Sequence, residues 1–310
     1  KTNYLATISQ LQRVSSMLSS DQENTKARTL HPTHYGRFCP IETPEGTEIG
    51  LRKNLAILSR VSTKVNLDEP KFLKDLDEMG LEKEGTEGQE VFFNGMFIGS
   101  VTNPNEFVKK IREKRRLGEL PNQLNVRNDE GFQIVFISIE AGRVLRPLII
   151  VENNVSKLKN EHLIQLEQNE LQWNDLVDKG IIEYLDASEE ENALVALTEE
   201  EITNEHTHLE IDYISLFGVV TSLVPYGNHD QSSRLNRGSK TQKQALGIYA
   251  GNYLSRLDTD VSILQYPQKP LVRSFVYDTL RTYPAGQNLV VAIMSYKGYN
   301  MEDALVFNKG

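Results

Sequence analysis

The sequence contains little cysteine and has no long apolar run. Cys39 is the single cysteine, so no intrachain disulfide can form and no zinc site with several cysteine ligands can be built. No apolar stretch approaches the roughly 18 residues that a membrane-spanning helix needs. The sequence also lacks a glycine-rich phosphate loop, a dinucleotide-binding fingerprint and a Ser-His-Asp spacing cue. These absences exclude several common enzyme classes and leave a chain of ordinary globular composition.

Charge is distributed unevenly along the 310 residues, whose net charge is −9. Residues 1–60 carry 8 Lys+Arg against 5 Asp+Glu, and residues 218–310 carry 10 against 6, whereas residues 151–217 carry only 3 against 17. A phosphate-binding surface needs local positive potential, so the two basic ends can bind nucleic acid despite the acidic total. The acidic middle is equally well explained by surface loops that keep the protein soluble.

Hydrophobic periodicity predicts a mixture of helices and strands. The segments predicted as helices are residues 4–18, 104–117, 160–172 and 241–254. The segments predicted as strands are residues 51–61, 132–137, 145–151, 181–185, 289–294 and 305–307, with a hairpin over 92–99 that turns at an Asn-Gly pair. Residues 19–30 and 225–240 are predicted to be polar loops, and residues 186–191 an acidic turn. The pattern predicts an α+β protein of several small modules.

Residues 31–50 are rich in proline and glycine, which forbids a long helix or a regular strand there. Their charged and imidazole side chains lie close together in sequence. These residues, with the arginine just before them, are Arg28, His31, His34, Arg37, Glu42, Glu45 and Glu48. Such a rigid loop either positions a ligand or pairs its charges internally and serves only the fold.

The segment 225–240 and the residues after it carry cations and amides. The side chains are Arg234, Arg237, Lys240, Lys243, Gln231, Gln242 and Gln244. Guanidinium groups suit phosphate oxygens, and the small residues that follow permit a bulky polyanion to approach. An ordinary basic surface turn is the simpler alternative when the segment is considered alone.

Two further pairs could bind a metal. Glu302 and Asp303 follow one another between two apolar runs, and adjacent carboxylates can offer oxygen ligands to a hard cation such as Mg²⁺. A solvated corner is the commoner meaning of such a pair. His206 and His208 would face one side of a strand, but no third ligand is close in sequence, which favours structural histidines.

These signals occur in an order that resembles the second-largest subunit of multisubunit DNA-directed RNA polymerases. The segment HPTHYGRFCPIETPEGTEIGL at 31–51 resembles that family's fork region, and NHDQSSRLNRGSKTQKQALG at 228–247 resembles the start of its hybrid-binding region. Further matching motifs are LQYPQKPLV at 264–272, PAGQNLVVAIMSYKGYNMEDALVFNKG at 284–310, GRVLRPLIIVENN at 142–154 and GIIEYLDASEEENALVA at 180–196. The motifs cover nearly the whole chain, and their details resemble archaeal members.

The resemblance implies four domains. They are a fork domain at 1–60, a first external domain at 61–150, a second external domain at 151–217 and the start of a β-rich hybrid-binding domain at 218–310. The chain begins at Lys1 without an initiator methionine and ends after an apolar run, so we expect it to be an internal part of a longer polypeptide.

The resemblance also implies site residues. Glu302 and Asp303 match an acidic pair that faces the catalytic centre, where they would share the second Mg²⁺ with the largest subunit, which holds the chief metal through three aspartates. Arg234 matches an arginine that reaches the incoming triphosphate, and Gln244 a glutamine at the RNA end of the hybrid. The remaining positions expected at the nucleotide and nucleic-acid site are Arg28, Glu45, Arg237 and Lys243.

Two segments depart from the family pattern. Thr47 and Glu48 stand where the family commonly has Pro-Asn, so this chain carries a charged residue where the family has a neutral one. The loop at 19–28 has Ser19, Ser20, Asp21 and Gln22 where the family usually has more basic or bulkier residues.

The implied function is template-directed RNA synthesis from NTPs by a nucleotidyltransferase in which this chain is one inactive part. The implied partners are the largest and other polymerase subunits, the DNA template, the RNA–DNA hybrid and NTPs, with no membrane. The implied location is the cytoplasm, at the nucleoid, for an archaeal protein and the nucleus for a eukaryotic one. The alternatives are a stand-alone module that binds nucleic acid or subunits without catalysis, and a structural spacer.

Overall fold

The structure is a computed structural model that describes residues 1–83 and 88–309. In these ranges the α-helices α1 to α10 are Tyr4–Leu11, Thr25–Arg28, Glu69–Met79, Pro104–Arg116, Asn160–Glu167, Trp173–Asp178, Ala187–Glu190, Val219–Ser222, Ser232–Gln244 and Phe275–Leu280. The strands β1 to β12 are Arg13–Ser15, Arg52–Asn54, Arg60–Val61, Gln89–Phe93, Met96–Val101, Asn125–Asp129, Ile134–Ser138, Val144–Glu152, Val155–Ser156, Ile182–Leu185, Val195–Ala196 and His208–Leu209. The predicted α+β class is confirmed.

A four-stranded sheet in the order β5-β4-β7-β6 forms the first core together with α3 and α4. Phe72 and Leu76 of α3 and Phe107 and Ile111 of α4 are almost fully buried in this core. The spacing of each pair, four residues, places both side chains on one face of its helix. The predicted hairpin is confirmed as β4 and β5. Its turn residues, Asn94 and Gly95, both have positive φ (49° and 80°), which suits the tight turn of a two-residue hairpin.

A six-stranded sheet is built around the long strand β8, which pairs with β3, β9, β10 and β12. Residues 145–151 of this strand are all buried, as expected for a central strand covered on both faces. The second core lies here and includes Leu145, Ile149, Leu176 and Ile182. A smaller third core joins α1, α8 and α10 through Leu5, Leu223, Val276 and Tyr277.

The first two sheets are joined by a buried group of opposite charges that we call the Arg115 cluster. Its members are Arg112, Arg115, Arg116, Glu183, Glu189 and His208. The Arg115 guanidinium lies 2.7 Å from both Glu183 and Glu189, and all three side chains are at most 6% exposed. Burial opposes charge on Arg115, but the two carboxylates outweigh it and raise the pKa of Arg115.

A second buried group, the Arg146 cluster, ties the loop at 33–37 to β8 and α7. Its members are Arg37, Arg146, Glu190 and Glu210. Glu190 accepts from both guanidinium groups, at 2.6 Å from Arg37 and 2.5 Å from Arg146. Gly36 has φ of +65°, and a Cβ there would lie 2.7 Å from Cδ of Arg146. Glycine is therefore required where the loop crosses this side chain.

The predicted acidic turn at 186–191 thus has a role that sequence alone did not show. Residues 187–190 form the short helix α7, and Asp186, Glu189 and Glu190 are paired with arginines of earlier segments. Glu189 is 2% exposed, so this part of the acidic middle is not a solubilising surface. Acidic side chains farther along, such as Glu199 and Glu205, are exposed, as that alternative expects.

Several predicted boundaries were wrong. The helix predicted for residues 4–18 ends at Leu11, because Arg13–Ser15 forms strand β1 against β2. The strand predicted for 51–61 is divided into β2 and β3, which pair with different partners. The helix predicted for 160–172 ends at Glu167, and the loop predicted for 19–30 contains α2.

The largest corrections concern the last third of the chain. The polar loop predicted at 225–240 and the helix predicted at 241–254 are replaced by α9 at Ser232–Gln244. The helix ends there because Ala245 leaves the helical conformation and becomes extended (φ −60°, ψ 140°). Two residues farther on, Gly247 lies close to Ala285, whose Cβ would be 3.2 Å from an added Cβ.

The strands predicted at 289–294 and 305–307 are absent from the described residues, and their side chains are exposed. Strands need neighbours for their backbone groups, and no described segment pairs with these two. The resemblance predicts a β-rich domain at 218–310. Among residues 218–309, the β pairing consists of one isolated bridge between Gly247 and Ala285. Gly310 lies outside the described residues. In the described ranges, no helix combines the length and apolar character needed to cross a membrane.

Candidate nucleic-acid and nucleotide interface

Helix α9 presents polar side chains along one exposed face. Arg234, Arg237, Thr241 and Gln244 are exposed and recur at three- or four-residue steps, so they lie along one side of the helix. The side chains of Arg234 and Gln244 form no hydrogen bond or ion pair with any described residue, which leaves them available to a ligand. Both side chains are therefore accessible to a ligand, as their predicted roles in binding the triphosphate and the RNA require.

The opposite face of α9 fixes the helix against the body of the protein. Leu235 is 3% exposed and Ser239 is fully buried, and both lie on the side that packs against α8. The Ser239 hydroxyl lies 3.1 Å from the hydroxyl of Thr221 in α8. A Cβ added at Gly238 would lie 3.6 Å from a methyl group of Val224, which is an ordinary contact, so packing does not require this glycine. The small side chains of Ser239 and Thr221 bring α9 close to its support.

Glu45 of the Pro/Gly loop contacts the cations of α9. Its carboxylate lies 3.0 Å from Lys240 and 3.5 Å from Arg237. The hydrogen bond from Lys240 lowers the pKa of Glu45. Because all three groups are exposed, the pairing is weak and can be exchanged for contacts with a ligand. The structure therefore brings Glu45 and Arg237 together, as two members of one predicted site.

Lys243 has a different environment from the other cations. Its ammonium lies 2.7 Å from the carboxylate of Glu42, whose side chain is 4% exposed, and 3.5 Å from the hydroxyl of Ser9. Ser9 donates a hydrogen bond of 2.7 Å to the same carboxylate oxygen. Lys243 is accordingly the partner of a buried carboxylate, and its predicted contact with nucleic acid stays a prediction.

Arg28 also has its donors occupied within the protein. Its guanidinium donates to the carbonyls of Ser20, Gln22, Thr47 and Ile49, at 2.5 to 3.3 Å. Gly50 packs on Arg28 so closely that a Cβ would lie 2.3 Å from its carbonyl oxygen. Arg28 therefore holds the segment 20–28 against the loop 47–50. A ligand would contact the surface formed by these two segments rather than the donors of the guanidinium, which are already occupied.

Glu302 and Asp303 lie at an exposed turn, in which Ala304 donates a backbone hydrogen bond of 3.0 Å to Met301. Glu302 has φ of 53°, a conformation that non-glycine residues rarely adopt outside turns. Neither carboxylate forms a hydrogen bond or ion pair with Arg234 or any other described side chain. Both groups are therefore accessible, and no such bond links them to α9 among the described residues.

The carboxylate pair does not make a complete metal site. Groups of three or more His, Cys, Asp or Glu side chains able to hold a metal ion are absent from the described residues. Two adjacent carboxylates supply the oxygen donors that Mg²⁺ prefers, but they cannot fill its octahedral shell without further ligands. Among the described residues, the donors present do not complete a magnesium site.

The two histidines do not act as a pair. His208 is buried, and its Nε2 atom lies 2.6 Å from the Glu183 carboxylate, within the Arg115 cluster. His206 is instead contacted by Thr203, whose backbone N–H donates to its Nδ1 atom at 3.0 Å. The prediction of structural histidines is confirmed.

Asn3 was missed by sequence reasoning although it is central to this region. It is 2% exposed and bonds to both α1 and α9. Its position just before the periodic segment 4–11 is typical of a helix N-cap, and that signal was readable. Its contacts with Gln242 and Ala245 join residues about 240 positions apart, which no local pattern indicates.

Comparison with known proteins gives a consistent family. Four protein-family models match in chain order, and all four describe domains of one subunit. They are RNA polymerase Rpb2 domain 3 at residues 1–61, domain 4 at 91–152, domain 5 at 173–214 and domain 6 at 220–310.

Full-length relatives extend the likeness over the whole chain. The chain is 42% identical over 329 aligned positions to DNA-directed RNA polymerase subunit Rpo2 of Saccharolobus shibatae, covering 100% of this chain and 29% of the relative. It is 36% identical to DNA-directed RNA polymerase III subunit RPC2 of Saccharomyces cerevisiae, covering 100% and 28%. It is 35% identical to DNA-directed RNA polymerase II subunit RPB2 of Encephalitozoon cuniculi, covering 99% and 28%.

The chain therefore spans less than a third of the length of these relatives, and the archaeal one shares more identity than the eukaryotic two. The ordered domain matches and the identity along the whole chain agree with the motifs in the loop 31–51 and in α9. The chain belongs to the family of second-largest subunits of DNA-directed RNA polymerases.

Proposed function

We propose that this chain forms part of one wall of the active centre of a DNA-directed RNA polymerase, and that it acts only after assembly with the other subunits. The observation that supports this best is the exposed face of α9, where Arg234, Arg237 and Gln244 project from a helix that is packed rigidly on its other side. A nucleotidyltransferase of this kind needs fixed cations beside a cleft, because its catalysis consists mainly of positioning and charge neutralisation.

Arg234 binds the triphosphate of the incoming NTP in this proposal. Its guanidinium is exposed and has no partner among the described residues, so no internal ion pair must be broken before it binds phosphate. Its planar fork matches phosphate oxygens. Gln244 lies ten residues farther along the same face and contacts the RNA end of the hybrid. Arg237, Arg28 and Glu45 shape the surface between these contacts and the loop 31–50. Lys243, which was also predicted to bind nucleic acid, pairs with Glu42 and supports α9 from within the protein.

Glu302 and Asp303 contribute oxygen ligands to the second Mg²⁺, with the remaining ligands coming from the largest subunit and the NTP. Mg²⁺ held by these carboxylates would help to neutralise negative charge on the reacting phosphates. The role of this chain is to hold two exposed carboxylates at a turn where another subunit can reach them. This arrangement agrees with a donor set that is incomplete within the chain.

The four-domain division at 1–60, 61–150, 151–217 and 218–310 is part of the same proposal. It is supported by the order of the four family matches. The boundary at 150 falls within β8, whose Leu145 and Ile149 pack in the second core. The partners are the largest and other polymerase subunits, the DNA template, the RNA–DNA hybrid and NTPs. The location is the nucleoid region of an archaeal cytoplasm, or the nucleus in a eukaryote.

The first test replaces Arg234 with alanine in polymerase reconstituted with the subunit that contains this chain. We expect the KM for NTP to rise by roughly tenfold or more, because a charge-assisted phosphate contact is lost. Lys109→Ala is the matched control, since Lys109 is an exposed cation on α4, outside the proposed site. Wild-type incorporation kinetics in Arg234→Ala would rule out its role.

A second test replaces Asp303 with alanine and titrates Mg²⁺. We expect a higher Mg²⁺ requirement, because one ligand of the shared ion is lost. Asp260→Ala is the control, since Asp260 is another exposed carboxylate of the same region. An unchanged titration would remove Asp303 from the metal site.

A stand-alone binding module is the competing function. It predicts salt-sensitive binding of an RNA–DNA hybrid by the isolated chain, whereas the polymerase assignment predicts recovery of RNA synthesis only on assembly. Measuring both with one preparation separates them.

A further inference from the structure

One buried amide serves two helix ends. The side-chain oxygen of Asn3 accepts a hydrogen bond of 2.9 Å from the backbone N–H of Ala6 and so caps the start of α1. Its side-chain nitrogen donates to the carbonyls of Gln242 and Ala245, at 2.7 and 2.8 Å, where α9 ends. The last carbonyls of a helix have no partner within the helix, so these bonds satisfy groups that would otherwise need water.

Neighbouring side chains hold the same helix end. The hydroxyl of Thr2 donates to the carbonyl of Lys243 at 2.6 Å. The ammonium of Lys243 in turn contacts the buried carboxylate of Glu42 at 2.7 Å. We call Thr2, Asn3 and Glu42 the α9 clamp. Residues more than 200 positions away in sequence thus fix the carbonyls of Gln242 and Lys243 in α9, the carbonyl of Ala245 just after it, and the ammonium of Lys243.

We propose that Asn3 is a positioning residue that fixes the C-terminal end of α9 and so places Gln244 against the RNA. This inference rests on the proposed function, because it assumes that Gln244 contacts the hybrid. Gln244 is exposed and lies between Lys243 and Ala245, both of which the clamp engages. Arg234 lies eight residues before Gln242, about 12 Å away along the helix axis, where packing on α8 supports it instead.

Arg234 and Gln244 lie at opposite ends of α9, so changes at the two ends should affect different kinetic constants. A misplaced RNA end slows the chemical step, because the attacking hydroxyl is no longer aligned, while binding of the NTP triphosphate near Arg234 is unaffected. Loss of the clamp should therefore lower kcat and leave the KM for NTP nearly unchanged, opposite to the effect of Arg234→Ala.

The informative variant is Asn3→Asp in assembled polymerase. Aspartate keeps the acceptor that caps α1 but has no donor for the carbonyls of Gln242 and Ala245. We expect the single-turnover rate of nucleotide addition per active complex to fall about tenfold, with the KM for NTP within about twofold of wild type. Asn103→Asp is the control, because Asn103 also caps a helix, α4, by accepting from the backbone N–H of Glu106. The donor bond that this control loses goes to the Glu106 side chain of the same helix and not to a distant helix end. A wild-type rate in Asn3→Asp would overturn the proposal.

A double-mutant cycle tests whether the effect passes through Gln244. In a Gln244→Ala background, Asn3→Asp should lower the rate by no more than about twofold further, since the side chain it positions is gone. Independent, multiplicative effects would overturn the proposal, and so would a wild-type rate in Gln244→Ala alone. A fold defect without positioning would reduce the number of active complexes but not the rate of each.

If Asn3→Asp fails to assemble, Thr2→Val provides the same test, because it removes one hydroxyl bond and leaves the α1 cap intact. We expect a slower rate of about twofold to threefold, which Gln244→Ala should again mask; no change, or no masking, would overturn the proposal. Failure of the proposed function is distinguishable, because Arg234→Ala would then leave the KM for NTP at its wild-type value.

Discussion

The arginines and carboxylates of this protein occupy two contrasting environments. In the Arg115 and Arg146 clusters they are buried and neutralise one another across segments that are far apart in sequence. On α9 and at the turn of Glu302 and Asp303 they are exposed, and Arg234 and the two carboxylates have no partner among the described residues. The same residue types therefore stabilise the fold in one region and remain available for ligands in the other.

The difference follows from the cost of burying charge. A buried ion must have partners of opposite sign, so the members of the two clusters are committed to one another. An exposed ion is solvated and can exchange water for phosphate or metal at little cost. Partner availability, rather than residue type, separates structural charges from binding charges here.

Removal of Glu189 should disrupt the buried Arg115 cluster and have the largest effect on stability of the substitutions proposed. The Glu189 carboxylate accepts from Arg112, Arg115 and Asn125. Glu189→Ala leaves Arg115 buried with only Glu183, and we expect the free energy of unfolding to fall by about 3–5 kcal/mol. Denaturant unfolding of the 310-residue chain measures the change.

The matched control is Glu199→Ala, which removes an exposed carboxylate from the same acidic region. We expect a change within about 0.5 kcal/mol, as for most surface substitutions. Similar losses in the two variants would show that burial does not distinguish these carboxylates.

Acid pH should weaken the same clusters without any substitution. Burial opposes the charged form of Glu183 and Glu189, but Arg115 outweighs it and lowers the pKa of both below the ordinary 4.5. Carboxylates with lowered pKa contribute stability that is fully present above the unfolded-state pKa and is lost as pH falls through the folded-state pKa. We therefore expect the free energy of unfolding to fall steeply below about pH 4.5.

Glu189→Gln sharpens this pH prediction. Glutamine cannot titrate, so the variant should be less stable at neutral pH but should lose less stability between about pH 5 and pH 3. Unfolding curves at several pH values check this, and parallel pH profiles for variant and wild type would contradict it.

Local patterns predicted the hairpin at 92–99 and helix α4 because turn chemistry and helical periodicity act over a few residues. They failed at α9, where the stabilising contacts come from α1, α8 and the loop 31–50 rather than from an apolar stripe. A helix with buried Leu235 and Ser239 but few other apolar residues resembles a loop in sequence.

The residues of the candidate site were predicted from family motifs and not from their spacing in the sequence. Spacing alone did not distinguish Lys243, which pairs with buried Glu42, from Arg237, which is exposed. Glu302 and Asp303 lie at an accessible turn. Both the metal-site interpretation and the solvated-corner interpretation predict such a turn, so exposure does not separate them. Contacts such as Arg115 with Glu189 span 74 positions, so the arginine partners of the acidic turn at 186–191 could not be read from the sequence.

Lys243 and Arg237 permit a direct test within one helix, with the smallest expected changes. Lys243→Met keeps most of the side-chain volume but leaves the Glu42 carboxylate with Ser9 alone, so we expect a loss of about 1–3 kcal/mol in the free energy of unfolding. Arg237→Met removes an exposed cation and should change that free energy by no more than about 0.5 kcal/mol.

Binding of an RNA–DNA hybrid by the assembled polymerase should give the opposite order. Arg237→Met should weaken affinity and reduce the slope of log K against log salt by about one, because one phosphate contact is lost. Lys243→Met should leave the salt slope unchanged, since its ammonium already neutralises Glu42. If Lys243→Met lowered the slope and left stability intact, the ammonium would have to leave Glu42 for phosphate, and the division between structural and binding charges would not hold on this helix.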